Sequence, residues 1–331
     1  MGTGGEEQGA NAEGGPTARD TAAGDTALAE TLATTWNFSD PRQSELRFLQ
    51  LAEQLARQGD RSGQLQALTQ VARARGLDGR FAEGHELLDG LAAEIDRQPP
   101  VVRVRYLLEQ GRLFNSDGAQ EQARPLFEQA WEVGRSAQLD ALAVDAAHML
   151  AIVQRAAPHR AIEWNETALA LARASRERRA RLWLGSLLNN QGWSYFDRNE
   201  HERALALFQE ALDFRLEQDQ AQPGAGAATR IAGWCVARAL RALGRSEEAL
   251  ARLTELARAW EVAGSSDGYV LEELGECLLA QGKPELAARE FARAHALLVK
   301  DAQFVRDNAA RLERIAGLAA GAQAPGTTAK E

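Results

Sequence analysis

Five histidines are the side chains of this sequence best suited to acid–base or metal chemistry, and their spacing limits what they can do. They are His85, His148, His159, His201 and His295. None belongs to an HExxH pair or to a cysteine–histidine cluster of the kind that holds zinc. The sequence also has neither a G-x-S-x-G elbow nor a Walker loop. We therefore predict no catalytic residue, no metal site and no cofactor, and we do not expect an enzyme.

One glycine-rich stretch, PGAGA at residues 223–227, precedes a predicted helix. Backbone N–H groups at the start of a helix can cradle a phosphate. A phosphate-binding loop of that kind follows a β-strand, whereas this stretch follows another predicted helix. We interpret it as part of a linker, EQDQAQPGAGAATR.

The elements that would position any functional side chain are indicated by a pattern that occurs three times. The copies are LLEQGRLFNSDGAQEQARPLFEQAW, LLNNQGWSYFDRNEHERALALFQEAL and LEELGECLLAQGKPELAAREFARAH. In each copy a Gly is followed twelve residues later by an Ala, and a Phe follows after four more. These markers are Gly111, Ala123 and Phe127, then Gly192, Ala204 and Phe208, then Gly275, Ala287 and Phe291. Gly and Ala allow two helices to cross closely, and the Phe is expected to fill the wedge between successive units.

This helix–turn–helix pattern resembles the tetratricopeptide repeat. Partial copies near residues 71–91, 145–172 and 236–256 bring the number to six, with Gly118, Gly244 and Gly282 in three of the turns. The register stays open within 140–172, where Pro158 is expected to open the second helix. The turn glycines and marker alanines of successive units recur about every 38 to 45 residues, whereas the standard tetratricopeptide repeat has a period of about 34 residues. Such longer repeats resemble those of kinesin light chains and of some bacterial peptide-sensing regulators. The resemblance implies an all-α fold, a right-handed superhelical solenoid of antiparallel helix pairs.

Composition excludes several classes of partner. The net charge is −9, which argues against general nucleic-acid binding because such binding depends on Lys and Arg neutralising phosphates. No apolar stretch is long enough to span a membrane, and the N-terminus carries no signal-peptide pattern. Cys235 and Cys277 lie far apart in sequence and are expected to be reduced, buried thiols. These features predict a cytoplasmic protein without a membrane partner.

We expect five segments along the chain. Residues 1–33 are acidic and Gly-rich and are predicted to be a disordered tail. Residues 34–62 form a lead-in helix, with Asp40 as its N-cap and Pro41 in its first turn. About six repeats occupy 63–301, a capping helix covers 302–319, and 320–331 is a second disordered tail.

Candidate binding residues follow from the resemblance. In such solenoids the first helix of each pair lines the concave face, at fixed positions relative to the marker Gly. The positions so selected are Arg73, Arg112, Asn189, Asn190, Trp193, Trp234, Arg238 and Glu273. In related repeats an Asn at these places often binds the backbone of a peptide, which the amide can do by donating and accepting at once. Arg pairs with carboxylates and Trp offers a flat apolar surface, although packing in the core is an equally good interpretation of both tryptophans.

The arginines suggest a basic groove that becomes acidic in the last repeat at Glu273, which would suit a peptide with charges of both signs. We therefore predict a non-enzymatic protein–protein interaction scaffold or adaptor that binds an extended peptide segment of a partner in the groove. A regulator that senses a signal peptide and acts through a partner remains an alternative. Self-assembly into a homo-oligomer, with one acidic tail in another molecule's groove, is a third.

Overall fold

The computed structural model describes residues 18–221 and 226–321, and every regular element in these ranges is a helix. The chain divides into two compact units between Leu142 and Ala143, which lie within one helix, Asp140–Val153. Each unit is described by itself below.

The first unit is a succession of helices joined by short turns. They are α1 (Ala18–Thr35), α2 (Pro41–Arg57), α3 (Arg61–Leu77), α4 (Phe81–Ile95), α5 (Pro100–Ser116) and α6 (Gln120–Ser136), followed by the helix at the boundary, α7 (Asp140–Val153). Within this unit α5 and α6 form the pair of the first complete repeat, and α3 packs on both α4 and α5.

The N-terminal boundary differs from the prediction, because residues 18–33 belong to helix α1 and not to a disordered tail. Leu32 is buried in α1 and packs in one cluster with Phe48 of α2 and Val71 of α3. The Gly-rich, acidic composition of residues 1–33 taken together hid this contact. Asp40 does cap α2, accepting a hydrogen bond from the Gln43 N–H at 2.9 Å. Residues 1–17 of the predicted tail lie outside the described residues.

The second unit contains the remaining repeats. Its helices are α8 (Pro158–Ala174), α9 (Arg178–Arg181), α10 (Leu184–Phe196), α11 (His201–Ala221), α12 (Gly226–Ala242), α13 (Ser246–Val262), α14 (Gly268–Ala280), α15 (Pro284–Leu298), α16 (Ala302–Asp307) and α17 (Ala309–Ala320). The helices α10 and α11, α12 and α13, and α14 and α15 pack as neighbouring pairs. Pro158 opens α8, as expected.

In most pairs the turn between the two helices contains a residue with positive φ. Gly118, Gly244 and Gly282 have φ values of 84°, 76° and 70°, which confirms their predicted place in the turns. In the pair α10–α11 the position is taken by Asn199 at φ 61°, since Asn tolerates the left-handed region better than most side chains.

The marker glycines lie where the two helices of a pair cross. Phe127, Phe208 and Phe291 are fully buried, and each ring lies against the marker glycine of its own repeat. A Cβ on Gly111 would lie 2.6 Å from Phe127 Cε1, much closer than carbon atoms approach without a shift. The Gly and the Phe therefore form one packing unit that fixes how closely the helices of a pair approach.

Two segments of the second unit differ from their predicted boundaries. The predicted linker is largely helical, because α11 continues to Ala221 and α12 begins at Gly226; residues 222–225 lie outside the described residues. The predicted capping helix over 302–319 is two helices, α16 and α17, separated at Asn308. Phe304 and Ile315 bury one side chain from each against the last repeat. Of the predicted C-terminal tail, residues 322–331 are not described.

Candidate functional site

Two of the predicted residues lie in the first unit, around a buried carboxylate. Glu109 of α5 has a side chain that is 3% exposed, and its Oε1 accepts a hydrogen bond from Arg112 Nη1 at 2.8 Å. Gln70 of α3 donates to the same oxygen at 3.3 Å, and Arg73 Nη1 lies 3.7 Å from it. Arg73 also stacks over the ring of Trp36, with 5.5 Å between the guanidinium carbon and the ring centroid. Both arginines are therefore engaged with Glu109.

The other six predicted residues lie in the second unit, on helices α10, α12 and α14. Their aromatic members belong to a series of rings that we call the aromatic row, composed of Trp193, Trp234, Tyr269 and Phe304. Successive ring centroids are 5.7, 5.8 and 5.5 Å apart. The rings pack against the core of the unit, and the Trp234 indole N–H donates to the Tyr269 carbonyl at 3.2 Å. Core packing thus accounts for much of the surface of both tryptophans.

Beside the aromatic row runs a set of ion pairs, which we call the ion-pair row. Glu273 of α14 is 1% exposed and accepts from Arg238 and from Arg241, both on α12. The Arg241 Nε–Oε2 distance is 2.6 Å. Burial alone would lower the pKa of Arg241, but the hydrogen bonds to Glu273, together with the negative charges of Glu273 and Glu276, outweigh it and raise that pKa.

The ion-pair row continues from α14 to α17. Glu272 accepts two hydrogen bonds from Arg311, at 2.8 and 2.7 Å, in a bidentate arrangement. Glu276 accepts from Arg314 at 2.5 Å. These residues, with those of the preceding paragraph, line an open cleft of about 300 Å³. The carboxylates of the last repeat are therefore neutralised by arginines of α12 and of α17. The sequence had predicted a basic groove with a separate acidic end.

The two asparagines of α10 are engaged differently. Asn189 is half-buried, and its Oδ1 accepts the thiol hydrogen of Cys235 at 3.2 Å. Asn190 is also half-buried, and its side chain makes no hydrogen bond to any described residue; only its carbonyl accepts, from the Ser194 hydroxyl at 3.0 Å. An amide with unused donor and acceptor groups on a partly exposed helix is able to bind an external backbone.

The structure also clarifies the two thiols. Cys235 and Cys277 are free and buried, as predicted, and burial raises their pKa values to about 12 and about 11. Both are therefore thiols, not thiolates, at neutral pH. Among the described residues no group of three or more His, Cys, Asp or Glu side chains is arranged to hold a metal ion.

Arg311 and Arg314 were missed by the sequence reasoning, although a signal for them existed. They lie 39 and 38 residues after Glu272 and Glu276, which is about one repeat length. Gln70 and Glu109 are also 39 residues apart, and Arg238 and Glu273 are 35 apart. Polar or oppositely charged side chains that are one repeat length apart in sequence therefore contact one another between the first helices of successive repeats.

Comparison with known proteins identifies the fold. No family model matches the sequence, and no curated protein is significantly similar to it. Solved structures do match. The apo form of RapI is similar with a TM-score of 0.69 and 12% identity, covering 88% of this chain and 80% of RapI. BtubC from P. vanneervenii is similar with a TM-score of 0.56 and 18% identity, covering 72% of this chain and 93% of BtubC.

A third match is NprR in complex with its cognate peptide NprX, with a TM-score of 0.52 and 12% identity, covering 92% of this chain and 86% of NprR. The matching structures are tetratricopeptide-repeat proteins. This chain has the tetratricopeptide-repeat fold. The predicted fold class, an all-α solenoid of antiparallel helix pairs, is thereby confirmed. In the part of the chain that the structure covers, no helix has the length and apolar character needed to cross a membrane.

Proposed function

We propose that this protein is a non-enzymatic scaffold that binds an extended segment of a partner protein along the first helices of its repeats. The observation that carries the proposal is the state of Asn190, whose amide is partly exposed and makes no hydrogen bond to a described residue. Asn189 next to it uses its Oδ1 but still has its amide donors. An extended peptide presents alternating N–H and C=O groups, which such a pair can bind without demanding a particular side chain.

The remaining candidate residues have a supporting place in this proposal. Trp193 and Trp234 are partly exposed, and their role in this proposal is to add apolar surface to the groove. Arg238 and Glu273 keep their mutual pairing, so a segment lying over them does not need to carry a strong charge of either sign. In the first unit, taken by itself, Arg73 and Arg112 are likewise engaged with Glu109, so we expect no strong charge preference there either. The proposal therefore favours a segment of low net charge in this groove.

The proposal is tested by selection from a displayed library of random twelve-residue peptides. The library is selected on the wild-type protein, with parallel selection on an Asn189→Ala/Asn190→Ala variant of equal urea midpoint. We expect sequences enriched on the wild type and absent from the variant. A matched control, Gln129→Ala, removes an exposed amide from α6 and should enrich the same sequences as the wild type. Equal enrichment on all three proteins would contradict the proposed site.

A second candidate function is peptide-responsive regulation through a partner. Its support is the likeness to NprR, whose structure is that of a complex with a cognate peptide. This function requires that a selected peptide change the conformation of the protein. Small-angle scattering with and without the peptide distinguishes the two functions, because a scaffold should bind without a change in radius of gyration.

Self-assembly into a homo-oligomer is a third candidate function. A homo-oligomer predicts a molar mass in light scattering that falls on dilution, whereas a scaffold of the proposed kind has a constant mass. The two buried thiols suit the reducing conditions of the cytoplasm, which we propose as the compartment.

A further inference from the structure

A short basic segment stands out in the second unit. Residues 173–181, RASRERRAR, join α8 to α10 and include α9; we call them the basic connector. They contain five arginines and one glutamate in a chain whose net charge is −9. The segment therefore carries a strong local charge opposite in sign to that of the protein as a whole.

The backbone of the basic connector is held in place. Ala180 is fully buried and Ser175 is 6% exposed. The Ser175 hydroxyl accepts a hydrogen bond from the Glu177 N–H at 3.0 Å. Arg176 and Arg181, by contrast, are exposed. The connector thus presents arginine side chains on a fixed backbone, which lowers the entropy lost when they bind a partner.

Only some of the arginines of the basic connector contact other residues of the fold. Arg173 lies in the last turn of α8, where a cation suits the helix dipole, and it pairs with Glu210 at 2.5 Å. The side chains of Arg176 and Arg181 form no hydrogen bond or ion pair with any described residue. Arg181 also lies three residues before Leu184, the first residue of α10, and a positive charge near the start of a helix opposes its dipole. Neither guanidinium group therefore stabilises the fold through an ion pair or a hydrogen bond to a described residue.

We propose that the basic connector docks an acidic segment of a partner protein. Guanidinium groups bind carboxylates bidentately, and several arginines on a fixed backbone match a run of Asp or Glu side chains. A nucleic acid is disfavoured because its phosphates would extend beyond nine residues onto the surface of an acidic protein. This docking surface is separate from the proposed peptide groove and does not depend on it.

The test uses the full chain and a fluorescein-labelled peptide, (Glu-Ser) repeated six times, in a fluorescence anisotropy titration at low ionic strength. The test variant is Arg176→Glu/Arg181→Glu. The control variant, Arg155→Glu/Arg160→Glu, makes the same change of charge on exposed residues of the same unit, around the other end of α8. Urea midpoints check that both variants fold, and that of the test variant should equal or exceed the wild-type value.

We expect the acidic peptide to bind the wild type and the control variant, with a Kd raised about tenfold or more in the test variant. Added salt should weaken the wild-type complex. An equal loss in both variants would overturn the proposal, since the peptide would then respond only to net charge. The proposal would also fail if the wild type did not bind the peptide. Preferential binding of a twelve-nucleotide RNA or of phosphatidylserine vesicles, lost in the test variant, would replace the protein partner with that ligand.

Discussion

Gly192 provides the sharpest test of how the repeats are built. A Cβ at this position would lie 2.6 Å from Phe208 Cδ1 and closer still to Cε1. Since carbon atoms prefer separations of about 3.5 Å or more, the ring would have to move by about 1 Å. The ring is fully buried, so the movement must disturb its neighbours on both helices.

The expected effect of Gly192→Ala is the difference between two contributions. Overpacking a core of this kind costs about 1–3 kcal/mol. Replacing a helical Gly by Ala recovers about 0.8–1 kcal/mol through helix propensity. We therefore expect a net loss of up to about 2 kcal/mol in the free energy of unfolding. Gly90→Ala is the matched control: Gly90 is also helical but has no atom within 4 Å of its added Cβ, so this substitution should stabilise.

A double-mutant cycle then assigns the loss to the ring. Phe208→Leu removes the atoms that meet the new methyl group, so Gly192→Ala should cost less in that background than in the wild type. We expect a coupling free energy of about 1 kcal/mol or more. Urea denaturation followed by far-ultraviolet circular dichroism measures all four proteins. Additive effects, or a destabilising Gly90→Ala, would refute the packing argument.

The remaining predictions concern charges and thiols. Burial would raise the pKa of Glu45, but hydrogen bonds from two arginines hold that pKa below its usual value. The ionised carboxylate therefore stabilises the fold above about pH 4.5, and this contribution is lost as the pH falls through the lowered pKa. Glu45→Gln should therefore flatten the acid side of a stability–pH profile; an unchanged profile would contradict the assignment. Glu273→Gln should lower the free energy of unfolding by about 1.5–3 kcal/mol, because a neutral amide replaces the buried carboxylate that accepts from two arginines. Urea titrations at low and high salt measure this loss. Cys235 and Cys277 should resist Ellman's reagent at pH 8 until urea unfolds the protein, and rapid reaction of the native protein would contradict their burial.

The repeat architecture was predictable because it depends on residue volumes at fixed spacing. Gly192 and Phe208 are recognisable in the sequence because a glycine leaves room for the ring where the two helices cross. The turn glycines were predictable for a similar reason: positive φ is costly for most side chains. Asn199 shows the limit of that argument, because it fills the same backbone position with a different residue.

Helix α1 was not predicted, because its sequence is rich in Ala and Thr and its burial depends on few side chains. Leu28, Leu32 and Trp36 recur at four-residue intervals and pack on the next helices. That spacing was available in the sequence, but mean composition concealed it.

The charges of the candidate site could be located from the sequence, but their partners could not. Arg238 and Glu273 were selected as separate groove charges, and only the packing of α12 beside α14 shows that they neutralise one another. The difference matters for function, because paired charges no longer demand a charged ligand. The prediction for Asn190 did not depend on knowing such partners, because its side chain makes no hydrogen bond to a described residue.

The central claim, that the asparagines of α10 bind a partner's backbone, is tested most directly by calorimetric titration of a library-selected peptide into the Asn190→Ala variant. The account predicts an unchanged urea midpoint and an affinity reduced about tenfold, the loss expected for one hydrogen-bonding amide. Gln129→Ala should bind as the wild type does. Wild-type affinity in the folded Asn190→Ala protein would contradict the account.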